Sequence, residues 1–128
     1  MQTYRIDHIH LICPNIESAK QWYIDVLGGK QTFESEFKGA KLYYIDLNGF
    51  NIFLIEKLPE GEPLPATIET RVGMDHFGLT VDDMEAAEAE LKAKGVNFVV
   101  EPMQVRPGVR IAYIEAPDKV RIELCERK

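Results

Sequence analysis

Two of the three histidines in this 128-residue chain each follow an aspartate in a similar short segment. Residues 7–11 read DHIHL and residues 75–79 read DHFGL. Imidazole nitrogens bind transition metals and transfer protons near neutral pH, so such histidines point to metal or acid–base chemistry. A carboxylate that can join them is Glu123, which lies between Ile122 and Leu124 in an apolar segment. Burying a carboxylate is costly unless it has a partner, so Glu123 is expected to have one.

The two histidine segments belong to an internal repeat that runs through most of the chain. With residue 7 placed on residue 75, and one residue inserted later in the second half, the matched pairs include Asp7/Asp75, His8/His76, Leu11/Leu79, Glu17/Glu85, Ala19/Ala87, Tyr44/Tyr113 and Phe53/Glu123. A repeat of this length predicts two modules of the same local structure.

Each half predicts a strand, a helix and three more strands. The helices run from the cap Asn15 to Gly28, and from Asp82 or Asp83 to Gly95. Alternating apolar residues predict strands at 5–13, about 31–37, 41–47 and 50–56, and at 74–81, about 97–101, 109–115 and 120–126. The hairpin signal Asn48–Gly49 joins two of these strands.

This pattern predicts an α+β fold in which two paired βαβββ modules form a cupped mixed sheet with the helices on its outer face. We expect a single domain over residues 1–128, with module 1 at about 4–57 and module 2 at about 74–127. The segment between them, about 58–73, is rich in proline and is expected to be a linker, with a lid over a site as one role for it.

Strand alternation predicts which side chains share the face turned away from the helices. His8 and His10 point one way along the first strand, and His76 has the equivalent position in the second module. Glu123 points opposite to Ile122 and Leu124. Two imidazoles and one carboxylate make a ligand set that suits Fe, Mn, Ni, Co or Zn and leaves metal positions open. Strand histidines also occur as hydrogen-bonded core or surface residues, which is the alternative interpretation.

Composition narrows the class of protein. The chain has 45% apolar and 28% charged residues, as soluble globular proteins do, and no apolar run long enough to cross a bilayer. Its net charge of −6 argues against a nucleic-acid partner. The two cysteines, Cys13 and Cys125, are expected to be reduced and buried in a cytoplasmic protein.

The repeated segments resemble the vicinal oxygen chelate superfamily, which includes glyoxalase I, methylmalonyl-CoA epimerase, fosfomycin-resistance transferases, bleomycin-binding proteins and extradiol dioxygenases. The resemblance covers nearly the whole chain and is carried by IDHIHLICPNIESAKQWYIDVLGG, MDHFGLTVDDMEAAEAELKAKGV and IAYIEAPDKVRIELCE. In the family, metal ligands lie on the first and last strands of each module. The matching positions here are His8, Phe53, His76 and Glu123.

Phe53 departs from the family pattern. Glyoxalase I and the epimerase carry a Glu or Gln ligand at this position, and a phenyl ring cannot replace it. The epimerase also has a glutamate base on the third strand of its first module. The matching residue is Leu42, or Lys41 or Tyr43 if the alignment slips. The remaining His–His–Glu pattern resembles extradiol dioxygenases and fosfomycin transferases.

Four further residues are candidates for contact with substrate. Tyr113 resembles a substrate-binding tyrosine of those two groups, although a half-buried strand tyrosine is the alternative. His10 is expected to act as an acid–base group or substrate contact, or else to lie as a polar residue at the rim of the cup. Phe53 offers aromatic surface, and Arg110, in a predicted loop with Arg106, suits a substrate carboxylate.

Two functions of different class follow from the resemblance. The first is a divalent-metal enzyme that binds a small oxygen-chelating substrate and stabilises an oxyanion, with lyase, isomerase or dioxygenase chemistry. The second is a non-catalytic binding or antibiotic-resistance protein of the bleomycin type, which needs no metal. The resemblance also implies a homodimer that acts on a small molecule, in which His8 meets His76 and Glu123 of the same chain or of its partner. Net charge and the lack of a long apolar run argue against a nucleic-acid or membrane partner.

Overall fold

Strands and helices follow one another in the same order in both halves of the chain. The computed structural model describes residues 2–56 and 72–128, and the chain divides into two compact units, Met1–Leu64 and Pro65–Lys128. The first unit contains β1 (His8–Ile12), α1 (Ile16–Leu27), β2 (Lys30–Phe37), β3 (Ala40–Leu47) and β4 (Phe50–Ile55). The second contains β5 (Phe77–Thr80), α2 (Met84–Ala93), β6 (Phe98–Arg106), β7 (Val109–Glu115) and β8 (Arg121–Arg127).

The first unit is a four-stranded mixed sheet with one helix against it. Its strand order is β1-β4-β3-β2, with β1 parallel to β4 and the other pairs antiparallel. Helix α1 packs on β3 and β4, where Ile45, Ile52 and Leu54 are fully buried. His10 pairs in register with Phe53, which alternates with these buried residues along β4. The histidines of β1 therefore lie on the sheet face opposite α1, as alternation predicts.

The second unit repeats this arrangement. Its strand order is β5-β8-β7-β6, with β5 parallel to β8 and the other pairs antiparallel. Helix α2 packs on β8, and Ile122 and Leu124 of that strand are buried in the core. Glu123 points to the opposite face, where it lies in register with Gly78 on one side and Tyr113 on the other.

Helix ends and hairpins form where the local sequence predicts them. The Asn15 side chain accepts a hydrogen bond from the backbone N–H of Ser18 at the start of α1, and Asp83 caps α2 in the same way. Asn48 and Gly49 have φ values of 51° and 92°, and such positive values at both central residues suit a tight two-residue hairpin.

Strand β6 is longer than the sequence predicts. It runs to Arg106, beyond the expected end at about 101, because Pro102 does not interrupt it. This strand is at the edge of its sheet and is paired through register shifts, where a missing N–H costs little. The predicted loop around Arg110 is consequently reduced to a turn at Pro107 and Gly108, and Arg106 and Arg110 are strand residues.

The fold class is confirmed. The described residues form an α+β structure of two βαβββ modules, with one four-stranded sheet in each unit. Cys13 and Cys125 are both buried, as expected, and are not joined by a disulfide bond. Residues 57–71, which include nearly all of the predicted linker at about 58–73 and any lid within it, lie outside the described residues. Among the helices of residues 2–56 and 72–128, none has the length and apolar character needed to span a membrane.

Candidate metal site

The second unit brings together two of the three predicted metal ligands. His76 directly precedes β5, and Glu123 lies on the neighbouring parallel strand β8. The Nε2 atom of His76 is 3.0 Å from Oε2 of Glu123. Both side chains are about a quarter exposed, at 26% and 23%, so this pair is partly shielded from water but still open to a ligand.

Asp75 and Arg121, which are not among the predicted site residues, complete this cluster. Oδ2 of Asp75 is 2.8 Å from the other ring nitrogen of His76, Nδ1. The Nη1 group of Arg121 donates to both oxygens of Asp75, at 3.0 and 2.9 Å. The signals that point to them are the repeated Asp–His pair and the position of Arg121 two residues before Glu123, on the same face of β8.

Tyr113 lies beside the cluster on strand β7. Its ring meets the His76 imidazole edge-on, with centroids 5.0 Å apart and an interplanar angle of 90°. The Arg121 guanidinium lies 4.8 Å from the centre of the same ring. Burial and, next, the nearby Glu123 carboxylate raise the pKa of the Tyr113 phenol. The phenol is therefore protonated at neutral pH and is able to donate a hydrogen bond.

The first unit holds the remaining histidines. Nδ1 of His8 is 2.7 Å from Oδ2 of Asp7, the same arrangement that joins His76 to Asp75. Phe53, which is also predicted to contact substrate, stacks on the His8 ring at a centroid distance of 4.0 Å. Tyr44 stacks on the far side of Phe53 at a centroid distance of 3.7 Å. His8, Phe53 and Tyr44 thus form a column of rings on the face opposite α1.

His10 lies next to this ring column. Its imidazole meets the rings of His8 and Phe53 edge-on, at a centroid distance of 6.4 Å from each. Partial burial and, next, the neighbouring His8 lower the pKa of His10. The neutral imidazole is consequently favoured near pH 7, in a form that accepts a proton or a hydrogen bond.

No acidic side chain is found at the position where the epimerase resemblance implies a base. Along β3, Leu42 and Tyr44 face the ring column, whereas Tyr43 is buried on the α1 side. The Tyr43 hydroxyl donates to Glu17 of α1 at 2.5 Å, which ties it to the helix. None of the three residues that the alignment allows at this position, Leu42, Lys41 and Tyr43, has a carboxylate that could act as the base.

Arg110 is not brought to the Tyr113 face. It lies two and four residues before Ala112 and Ile114, which are both buried, and it therefore shares their face of strand β7, the α2 side. Its neighbour across the ladder in β8 is Glu126. The prediction that Arg110 lies in a loop was wrong, because the β6–β7 connection is a turn of only two residues and Arg110 belongs to strand β7. Strand alternation therefore fixes the face on which Arg110 lies.

The donor atoms of the second unit fit a divalent metal. Metal–nitrogen and metal–oxygen bonds of about 2.1 Å at a right angle place the two ligand atoms about 3.0 Å apart, the separation found for Nε2 of His76 and Oε2 of Glu123. A neutral histidine that ligates through Nε2 donates its Nδ1 proton to a neighbouring oxygen, and Asp75 supplies that oxygen. Among residues 2–56 and 72–128, no three His, Cys, Asp or Glu side chains are grouped so that they could hold a metal ion.

Known proteins place the chain in one superfamily. Residues 7–113 match the family described as the Glyoxalase/Bleomycin resistance protein/Dioxygenase superfamily, and the chain belongs to it. The uncharacterized protein YwkD of Bacillus subtilis (strain 168) is 30% identical over 127 residues, which cover 95% of this chain and 96% of YwkD. The mitochondrial methylmalonyl-CoA epimerase of Mus musculus is 24% identical over 105 residues, covering 79% of this chain and 59% of the epimerase.

Solved structures agree on the fold. The fosfomycin resistance protein FosX of Listeria monocytogenes, solved in complex with Mn(II) and a sulfate ion, superposes with a TM-score of 0.72 at 17% identity. The match covers 99% of this chain and 95% of that chain. At this identity the likeness establishes the βαβββ fold of the superfamily.

Proposed function

We propose that the chain is a divalent-metal-dependent enzyme of this superfamily that acts on a small substrate with neighbouring oxygen atoms. The observation that carries the proposal is the pair formed by His76 Nε2 and Glu123 Oε2, 3.0 Å apart, with Asp75 on the opposite ring nitrogen. This arrangement places one nitrogen and one oxygen donor atom close enough together to bind the same metal ion.

His8 is proposed as the third protein ligand. It matches His76 in the internal repeat, and its Nδ1 is held by Asp7 as that of His76 is held by Asp75, so its Nε2 is also the nitrogen left for coordination. Two histidines and one carboxylate leave further coordination positions open for substrate oxygens. The candidate ions remain Fe, Mn, Ni, Co and Zn, and FosX, which binds Mn(II), is a relative in fold.

The side chains around these ligands indicate the chemistry. A bound divalent ion supplies Lewis-acid polarisation of the substrate oxygens. Tyr113, whose raised pKa keeps its hydroxyl protonated, donates a hydrogen bond to a substrate oxygen that gains negative charge. His10, whose pKa is lowered, accepts a proton from the substrate. Phe53 and Tyr44 provide an apolar aromatic surface against which the substrate packs.

The reaction class is proposed as oxyanion-forming lyase or isomerase chemistry, with dioxygenation as the variant if the ion is iron. A named relative, the methylmalonyl-CoA epimerase, is an enzyme of this kind. Leu42 removes the base that the epimerase resemblance implies, so we do not assign the epimerase reaction itself. A homodimer and a cytoplasmic location are further parts of the proposal and rest on the sequence.

Spectroscopy with a cobalt probe tests the proposal. Protein loaded with Co(II) is expected to show visible d–d absorption that shifts when acetohydroxamate, which chelates through two neighbouring oxygens, is added. His76→Ala and Glu123→Ala should lose the shift. Glu88→Gln, which removes a carboxylate that pairs with Lys92 on α2, should keep it. A Co(II) spectrum that ignores the chelator, or that survives in both ligand variants, contradicts the proposal.

A second candidate function is a metal-free binding protein of the bleomycin-resistance type. The column formed by His8, Phe53 and Tyr44 favours it, because Phe53 stacks between the other two rings, with centroid distances of 4.0 Å to His8 and 3.7 Å to Tyr44, and the three rings together present an extended aromatic surface. In that case a planar aromatic ligand should bind without metal, with an affinity that Phe53→Ala lowers and Glu123→Ala leaves unchanged. Equilibrium binding of the fluorescent aromatic probe 8-anilinonaphthalene-1-sulfonate to metal-free protein separates the two functions.

A further inference from the structure

Arg121 occupies the centre of a chain of contacts around His76. Its Nη1 group donates to both oxygens of Asp75, at 3.0 and 2.9 Å, and Asp75 in turn contacts Nδ1 of His76 at 2.8 Å. The same guanidinium lies 4.8 Å from the ring centre of Tyr113. The Arg121 side chain is only 10% exposed, so its hydrogen bonds to the Asp75 carboxylate are shielded from solvent, and hydrogen bonds between charged groups are stronger than those between neutral groups.

We propose that Arg121 is a positioning residue of the candidate metal site, a role that rests on the proposed function. By binding both oxygens of Asp75 and lying against the Tyr113 ring, it holds the His76 imidazole with Nδ1 on Asp75 and Nε2 beside Glu123. The protein thereby sets which ring nitrogen faces the metal and keeps the Tyr113 phenol next to it.

The same contacts decide which carboxylate is the ligand. Asp75 and Glu123 both contact the His76 ring, one on each nitrogen. Arg121 donates hydrogen bonds to both oxygens of Asp75, and its positive charge offsets the negative charge of the Asp75 carboxylate. Asp75 therefore acts as an anchored acceptor for the imidazole N–H, while Glu123 remains the carboxylate that a cation attracts.

The first unit provides an internal comparison. Asp7 contacts His8 as Asp75 contacts His76, but the residue that matches Arg121 in the repeat is Asn51, which carries no charge. Asp7 is also 82% exposed, compared with 24% for Asp75. Water competes with an exposed hydrogen bond, so Asp7 is expected to fix its histidine much less firmly than Asp75 does.

Two readouts on the full chain test this role. The first is the affinity for zinc, measured by competition with a chromophoric chelator. The second is solvent exchange of the His76 Nδ1 proton in metal-free protein, followed by nitrogen-15 NMR and assigned by its loss in His76→Ala. The variants are Arg121→Met, Arg121→Lys, Asp75→Ala and Asp7→Ala. Glu88→Gln, in an exposed ion pair with Lys92 on α2, is the control.

Arg121→Met and Asp75→Ala should weaken zinc binding by about 10- to 100-fold, as loss of a hydrogen-bond partner of a ligand does elsewhere. Both should also speed exchange of the His76 Nδ1 proton. Arg121→Lys keeps the charge but cannot both bridge the two oxygens of Asp75 and contact the Tyr113 ring, so intermediate values are expected. Asp7→Ala should have a smaller effect on zinc binding, and Glu88→Gln none on either readout.

The two proposals fail in distinguishable ways. If the folded Arg121→Met and Arg121→Lys proteins keep wild-type zinc affinity and wild-type Nδ1 exchange, Arg121 has no positioning role, while the metal site stands. If wild-type protein binds no zinc, manganese or cobalt, the proposed function fails. The Nδ1 exchange of the metal-free variants then still decides whether Arg121 holds the imidazole. If Arg121→Met does not fold, Arg121→Lys carries the test.

Discussion

Glu126 is predicted to be a strong determinant of stability in the second unit. It lies in β8, three residues after Glu123, and is only 4% exposed. Its Oε2 atom accepts a hydrogen bond of 2.6 Å from the backbone N–H of Met84, the first residue of α2. A helix N-terminus carries backbone N–H groups without partners in the helix and a partial positive charge. A buried carboxylate there accepts a hydrogen bond from such an N–H group and is attracted by the positive charge.

The size of the effect follows from these two contributions. Glu126→Ala leaves the Met84 N–H buried without this acceptor, which costs about 1–3 kcal/mol, and removes a charge–dipole interaction of about 1 kcal/mol. We therefore expect the free energy of unfolding to fall by about 2–4 kcal/mol. Glu126→Gln keeps an acceptor oxygen and should lose only about 1 kcal/mol. Asp83→Ala, which removes the exposed cap of the same helix, should cost about 1 kcal/mol.

Urea unfolding followed by circular dichroism at pH 7.5 measures these differences, with the dependence on urea concentration compared between variants. The order of stability expected is wild type, then Glu126→Gln and Asp83→Ala, then Glu126→Ala. If Glu126→Ala costs no more than Asp83→Ala, the buried carboxylate does not support the helix and the reasoning is wrong.

Two predictions concern the first unit. Gly29→Ala places a methyl group 2.6 Å from Cγ2 of the fully buried Ile45 and 3.1 Å from the backbone oxygen of Tyr23, so it should lower the free energy of unfolding by about 1–3 kcal/mol in the same urea assay. An unchanged midpoint of urea unfolding would contradict this prediction, because it would show that Ile45 and its neighbours shift to accommodate the methyl group. The hydrogen bond from Tyr43, with help from nearby lysines, lowers the pKa of Glu17 from 4.5 to about 2, so its contribution to stability is present above pH 4.5 and lost as pH falls towards 2. Tyr43→Phe should therefore destabilise at pH 7, and its difference from wild type should shrink between pH 4.5 and 2; a constant difference in acid unfolding curves would refute this.

Local signals, present in both halves of the repeat, explain why the sequence predicts so much of the fold. Alternation fixes the faces of β1 and β8, and the caps Asn15 and Asp83 mark the helix starts, because these signals are local. The same alternation correctly placed Glu123 opposite the core residues Ile122 and Leu124. Local signals failed at Pro102, which reads as a strand end but is accommodated because β6 is an edge strand.

The contacts of His76 required the tertiary structure. Arg121 precedes the buried Ile122 in the sequence and by itself resembles an exposed strand residue. Only the parallel pairing of β5 with β8 brings it beside Asp75, more than forty residues earlier in the chain. By contrast, the side on which Arg110 lies follows from the predicted strand 109–115, in which Arg110 shares a face with Ala112 and Ile114 and not with Tyr113.

The most direct test of the central claim is the metal content of the purified protein. The protein is stripped with a chelator, incubated in turn with Mn(II), Fe(II), Co(II), Ni(II) and Zn(II), dialysed, and measured by mass spectrometry beside His76→Ala and Glu123→Ala. The proposal predicts about one ion per chain for at least one metal in the wild type, and loss of that ion in both variants. Wild-type protein that retains no metal, or variants that retain as much as the wild type, would contradict a metal site at His76 and Glu123.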